Sequence, residues 1–177
     1  MADLCIQLLL QDHRATEKIL AELESLLDLL KASPQRAPEQ GKTFTRIRGS
    51  FHEVVIAHIR KEEEVFFPGL EDFLPPDVGP LAVLRSENVD LWIHFHRMCE
   101  VGETLFGVRG TPELGEEFER HTRKIIQILR DHIYKEDRVL FPLVARFLPA
   151  SLDARLRQQI EAISHPPPTA TSPKPAV

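Results

Sequence analysis

Along residues 42–67 one inward stripe runs Phe44, Ile47, Phe51, Val54, His58, Glu62 and Val65. Every step is three or four residues, the period of one face of an α-helix. Residues 118–139 repeat the stripe at an offset of 74 as Phe118, His121, Ile125, Ile128, His132, Glu136 and Val139. A third pattern, over residues 3–31, reads Ile6, Leu9, His13, Leu20, Leu23, Leu27 and Leu30, and a fourth, over 80–106, reads Leu81, Leu84, Asn88, Leu91, Phe95, Met98 and Gly102. Each stripe therefore predicts a long amphipathic helix, and each has polar residues at inward positions. Turn residues separate the helices: Ser33 to Gly41 with two prolines, Pro75-Pro76, and Gly107 to Thr111. Pro80 and Pro112 stand at helix starts, where proline is permitted, while Pro68 and Pro142 are expected to end or kink their helices.

Four such helices with short connections predict an all-α fold, an antiparallel up-down-up-down four-helix bundle. The repeat makes it two αα-hairpins related by an approximate two-fold axis. A short amphipathic helix is expected at residues 152–163 and no strand anywhere. The bundle domain is assigned to residues 1–164, and the Pro/Ser/Thr-rich stretch 165–177 is expected to be disordered.

The repeat is closest where the polar residues lie. His58–Pro75, HIRKEEEVFFPGLEDFLP, and His132–Pro149, HIYKEDRVLFPLVARFLP, agree at ten of 18 positions. Each copy holds His and Glu four residues apart, so both side chains leave one helix face about 5–6 Å apart at Cβ. His13 precedes His58 by 45 residues and Asn88 precedes His132 by 44, which in antiparallel hairpins sets each pair at one level. The expected cluster is His13, His58, Glu62, Asn88, His132 and Glu136. Two buried carboxylates without compensation would cost several kcal/mol each; a pair of metal cations removes that cost. Imidazole and carboxylate without thiolate suit iron, and also manganese or zinc, better than copper(I).

Composition narrows the function classes. A net charge of −5 argues against nucleic acid, and no apolar run approaches the ~20 residues of a membrane span. Cys5 and Cys99 form no spaced motif, and the N-terminus lacks the basic start of a signal peptide, so a soluble cytoplasmic protein is expected. The sequence sets no oligomeric state.

With Asp12-His13 on the first helix and the two HxxxE segments quoted above, the chain resembles the hemerythrin-like (HHE) family of cation-binding four-helix bundles over about residues 4–149. The resemblance implies a non-haem di-iron site, two irons per chain, with His13, His58 and His132 as terminal ligands and Glu62 and Glu136 as bridges. It departs at Glu87-Asn88, where the family's first-helix His recurs in the second hairpin; Asn88 would coordinate weakly through its carbonyl or leave a position open. Glu17, and Glu63 and Asp137 beside the motif glutamates, are alternative ligands. His121 is too far along its helix to join the site and is expected to be a core histidine, with a pore or proton-path residue as the alternative; His52, His94 and His96 are expected on the surface or flank, and His165 lies in the tail. The leading functional expectation is a protein that binds or senses a small molecule such as O₂. The alternatives are a di-iron enzyme acting on NO or peroxide or serving iron–sulfur cluster repair, and a helical interaction module with a vestigial site.

Overall fold

The computed structural model describes residues 4–33, 39–107 and 110–164; the stretch expected to be disordered, with His165, lies outside them. Among the described residues there are helices and turns but no strand. Helix α1 is Leu4–Ala32. Helix α2 is one rod from Gly41 to Leu70, α-helical over Gly41–Phe51, Ala57–Lys61 and Phe67–Leu70, with wider π turns at His52–Ile56 and Glu62–Phe66. Helix α3 is Pro80–Leu105. Helix α4 covers Pro112–Lys135, a π turn at Glu136–Leu140, then Phe141–Val144. Helix α5, Ala150–Ser164, is the short C-terminal helix read from the sequence.

Contacts between α1 and α2 join His58 to Asp12 at one end and Arg46 to Glu22 at the other. Those between α3 and α4 join Glu87 to His132 and His94 to His121. Residue numbers rise along one helix as they fall along its neighbour, consistent with a four-helix bundle.

The core comes in two apolar clusters. One gathers Leu20, Leu23, Phe51, Phe95, Phe118 and Ile125 with their neighbours. The other gathers Leu9, Phe66, Leu81, Phe141 and Val144, with Leu156 and Ile160 of α5. Along the four long helices His13, His58, Glu62, Asn88, His132 and Glu136 fall where the two clusters meet. A polar layer so enclosed is far from water, where charges interact strongly and unpaired polar atoms are costly.

Pro68 and Pro142 do not end their helices. Proline lacks the N–H for an α-helical bond and crowds the carbonyl four residues back. The chain accommodates this by widening the preceding turn: Phe67 N–H donates to the Glu62 carbonyl, and Phe141 N–H to that of Glu136. The extra residue in the turn shifts the register. Val65 and Val139, expected inward, rotate out; Val139 is exposed and Val65 half-buried, while Phe66 and Leu140 take the buried places. The π turn at His52–Ile56 acts likewise, burying Val55 in place of Val54.

Candidate metal centre

The inward residues expected to cluster are all buried: His13, His58, Glu62, Asn88, His132 and Glu136. The two glutamates lie at the centre, each fully buried at the first position of its π turn. Glu136 Oε2 is 2.9 Å from His13 Nε2, 3.6 Å from His58 Nε2 and 3.7 Å from His132 Nε2. Glu62 Oε1 is 3.1 Å from His58 Nε2, and its Oε2 is 3.5 Å from both His132 Nε2 and Asn88 Nδ2. Two sets of three donors emerge, His13·His58·Glu136 and Glu62·His132·Glu136, each with its ligand atoms within 4.8 Å of one another. Glu136 belongs to both sets.

A ring of charged groups surrounds these six, and it follows the two-fold repeat. The outer nitrogen of every histidine meets a carboxylate: His13 Nδ1 is 2.8 Å from Asp137 Oδ1, His58 Nδ1 3.4 Å from Asp12 Oδ2, and His132 Nδ1 3.2 Å from Glu87 Oε2. Asn88 fits the same scheme, since its Nδ2 donates to Glu63 Oε1 at 2.9 Å. Lys61 donates to Asp12 at 2.7 Å, and Lys135 donates to Glu87. Glu63 in turn accepts from Arg85. The His13 ring also stacks on Phe141, 5.6 Å between centroids and 12° between planes, which fixes its orientation.

The electrostatics follow from this packing. Burial by itself would push the His58 pKa down, but the Glu62 charge, joined by Asp12 and Glu136, outweighs it and holds the pKa well above 6.5. His132 is pushed up to about 10, burial again being overcome by the charges of Glu136, Glu62 and Glu87. Glu62 is held well below the usual carboxylate range, because His58 and His132 outweigh its desolvation. Protons on His58 and His132 thus offset the charge of Glu62.

The residues fit a bound metal pair. His58 Nε2, His132 Nε2, Glu62 Oε1 and Glu136 Oε1 are buried and lack a hydrogen-bond partner. Such atoms are normally satisfied, and here they converge from two facing helices, α2 and α4, with their lone-pair atoms turned to a common centre. Nitrogen and carboxylate oxygen without sulfur is a donor set for iron, manganese or zinc. Glu63 and Asp137 stand outside that centre, one residue round the helix from the motif glutamates, and meet Asn88 and His13 instead. Glu17 points away, half exposed and 3.7 Å from Arg130.

His121 is buried as expected, but its partner is His94, placed on the flank from sequence: the two Nδ1 atoms lie 2.9 Å apart. His94 is half-buried because helix α4 packs over it. His52 and His96 are exposed. The roles of Asp12, Lys61, Glu87 and Lys135 went unread in the sequence. A signal for the lysines was available, since Lys61 and Lys135 are among the identical positions of the repeat.

Residues 5–144 match the sequence profile of the hemerythrin HHE cation-binding domain. The iron-sulfur cluster repair protein YtfE of Escherichia coli (strain K12 / DH10B) is 26% identical over 155 residues, covering 80% of this chain and 65% of the relative. Proteins of the same name from Escherichia coli O139:H28 and Shigella boydii serotype 18 show the same identity and coverage. The chain thus spans 65% of the length of these curated relatives. No solved structure matches it significantly. No described helix is long and apolar enough to cross a membrane. Since the profile match covers well over half of the sequence and includes His13 and both HxxxE pairs, the chain belongs to the hemerythrin HHE cation-binding domain family.

Proposed function

We propose that this protein is a cytoplasmic, non-haem di-iron protein that binds or senses a small molecule such as O₂. The helices alternate up and down as two αα-hairpins, and each hairpin contributes one HxxxE pair. His13 and His58 would hold one iron and His132 the other, with Glu62 and Glu136 shared between them. A bound iron pair supplies reversible redox chemistry and a coordination position for a small ligand. The protein contributes a dry setting in which the glutamates and the imidazole Nε2 atoms are buried and turned inward. Asn88 marks the place for the ligand. It stands where the other half has His13, and a neutral amide binds a cation less strongly than imidazole does.

The observation that carries this reading is the pair of donor sets sharing Glu136, with four buried donor atoms lacking partners. Iron reconstitution under anaerobic conditions tests it. Two irons per chain are expected by elemental analysis, with an optical spectrum that changes on O₂ addition and returns on its removal. One iron or fewer in a fully helical protein would count against it.

The likeness to YtfE, an iron–sulfur cluster repair protein, favours a second reading, that the same site serves cluster repair; action on NO or peroxide is the other enzymatic use of such a site. The same preparation separates the two. Irreversible consumption of NO or peroxide, or iron transfer to a damaged cluster protein, without reversible O₂ binding, would establish it.

A further inference from the structure

The groups on the outer nitrogens of His58 and His132 form two copies of one device. Asp12 precedes the inward residue His13, and Glu87 precedes the inward residue Asn88. One residue's turn of the helix carries each carboxylate away from the centre and across to the next helix, where it meets an imidazole Nδ1: Asp12 meets His58 at 3.4 Å and Glu87 meets His132 at 3.2 Å. Three residues beyond each histidine, on the same helix face, a lysine binds that carboxylate: Lys61 to Asp12, Lys135 to Glu87. Lys61 is only 5% exposed, an uncommon place for a lysine without such a partner.

We propose that Asp12 with Lys61, and Glu87 with Lys135, are matched positioning clamps that aim the Nε2 atoms of His58 and His132 at the metal pair, one clamp for each metal position. The proposal rests on the di-metal reading above and extends it to residues outside the ligand set. A neutral imidazole that binds a cation through Nε2 carries its proton on Nδ1 and needs an acceptor there. A carboxylate is that acceptor. Lysine has donors only, so it cannot serve the ring directly; it anchors the carboxylate. The donor sets assign the clamps to different metals, because His58 falls in the set with His13, and His132 in the set with Glu62. The clamp beside Asn88 has both its carboxylate and its lysine in place, with Glu87 Oε2 3.2 Å from His132 Nδ1. The half that lacks a second histidine thus keeps the apparatus for orienting the one it has, which marks that metal position as built for occupancy.

Stepwise Co(II) titration of the metal-free full chain, followed by calorimetry and by the visible absorption of the bound ion, tests the clamps through affinity rather than activity. Parent protein is compared with Asp12→Asn, Glu87→Gln, and the charge-retaining Asp12→Glu and Glu87→Asp. Losing an outer partner of a metal-bound histidine typically weakens binding about 10–100-fold. Glu87→Gln is expected to weaken one binding step by that factor and leave the other within about threefold, while Asp12→Asn weakens the other step. Glu87→Asp and Asp12→Glu are expected to restore most of the affinity, which a loss of fold stability alone would not predict. Circular dichroism establishes that each variant is helical; where a carboxylate variant fails to fold, Lys61→Met or Lys135→Met replaces it, with the same step expected to weaken. Both steps unchanged in both variants would overturn the proposal, as would both variants weakening the same step. A parent chain that takes up no Co(II) would instead overturn the di-metal reading, and the clamps with it.

Discussion

Asn88 is the residue at which the two halves of the centre part. Its Nδ2 donates to Glu63 at 2.9 Å and reaches Glu62 Oε2 at 3.5 Å, so the amide stands at the edge of the donor set that has only one histidine. Asn88→His should supply a strong nitrogen ligand there: tighter binding of the second metal and slower loss to a chelator, measured by competition. Equal second-metal affinity in variant and parent would mean that this position does not reach the metal. A second prediction concerns the buried charges of the metal-free protein. His132 has its folded pKa raised to about 10 from 6.5, so its stabilising contribution is complete below pH 6.5 and lost as pH rises towards about 10. His58, also raised, acts in the same direction. Glu62 has its pKa depressed from 4.5, so its contribution is present above pH 4.5 and lost as pH falls through the lower folded value. Metal-free melting temperature should therefore be highest between these limits and decline on the alkaline side, by at most about 1.4 kcal/mol per pH unit for each histidine. A melting temperature constant from pH 6.5 to 10 would show that the imidazoles do not hold those protons.

Among the elements, the π turns at Glu62–Phe66 and Glu136–Leu140 decide which residues after the motif glutamates face the core. Each begins at the motif glutamate and closes just before the proline, so the widened turn and the ligand come as a unit. Helix contacts set a further test, because two helical glycines stand in opposite surroundings. A Cβ added at Gly102 would lie 2.5 Å from Phe44 Cζ and 3.1 Å from Phe118 Cε2, rings already packed on each other and on Phe106. At Gly49 nothing lies within 4 Å. Gly49→Ala should therefore stabilise by about 0.5–1 kcal/mol through helix propensity alone. Gly102→Ala gains the same propensity but overpacks the core, at a cost of about 1–3 kcal/mol, and should lower stability on balance. Urea denaturation of both variants checks the contrast; a stabilised Gly102→Ala would mean that the three rings can move aside.

For the whole molecule, the metal centre is also a fastener. Its proposed ligands come from α1, α2 and α4, with Asn88 adding α3, and it lies between two apolar clusters that the chain crosses on every helix. A cation that binds only the folded chain stabilises it by mass action, about 4 kcal/mol at a thousandfold excess over Kd. Iron-loaded protein should melt well above chelator-treated protein. The difference should shrink towards acid pH, as protons compete for the imidazoles. A melting temperature unmoved by chelation would contradict ligands drawn from separate helices.

The helices and the inward placement of the six central residues were legible in the sequence, because an amphipathic stripe and an internal repeat are local patterns with a fixed period. His13, His58, Glu62, Asn88, His132 and Glu136 sit in register with leucines and phenylalanines, and that alone marks them as buried. The fate of Val65 and Val139 was not legible. A period of 3.6 assumes an unbroken α-helix, and the proline-induced π turns add a residue that the pattern cannot announce. Nor did the sequence pair His94 with His121, or Asp12 and Lys61 with His58. Those contacts join helices distant along the chain, and they depend on the rotation of each helix about its own axis, which only the packing of the assembled core fixes.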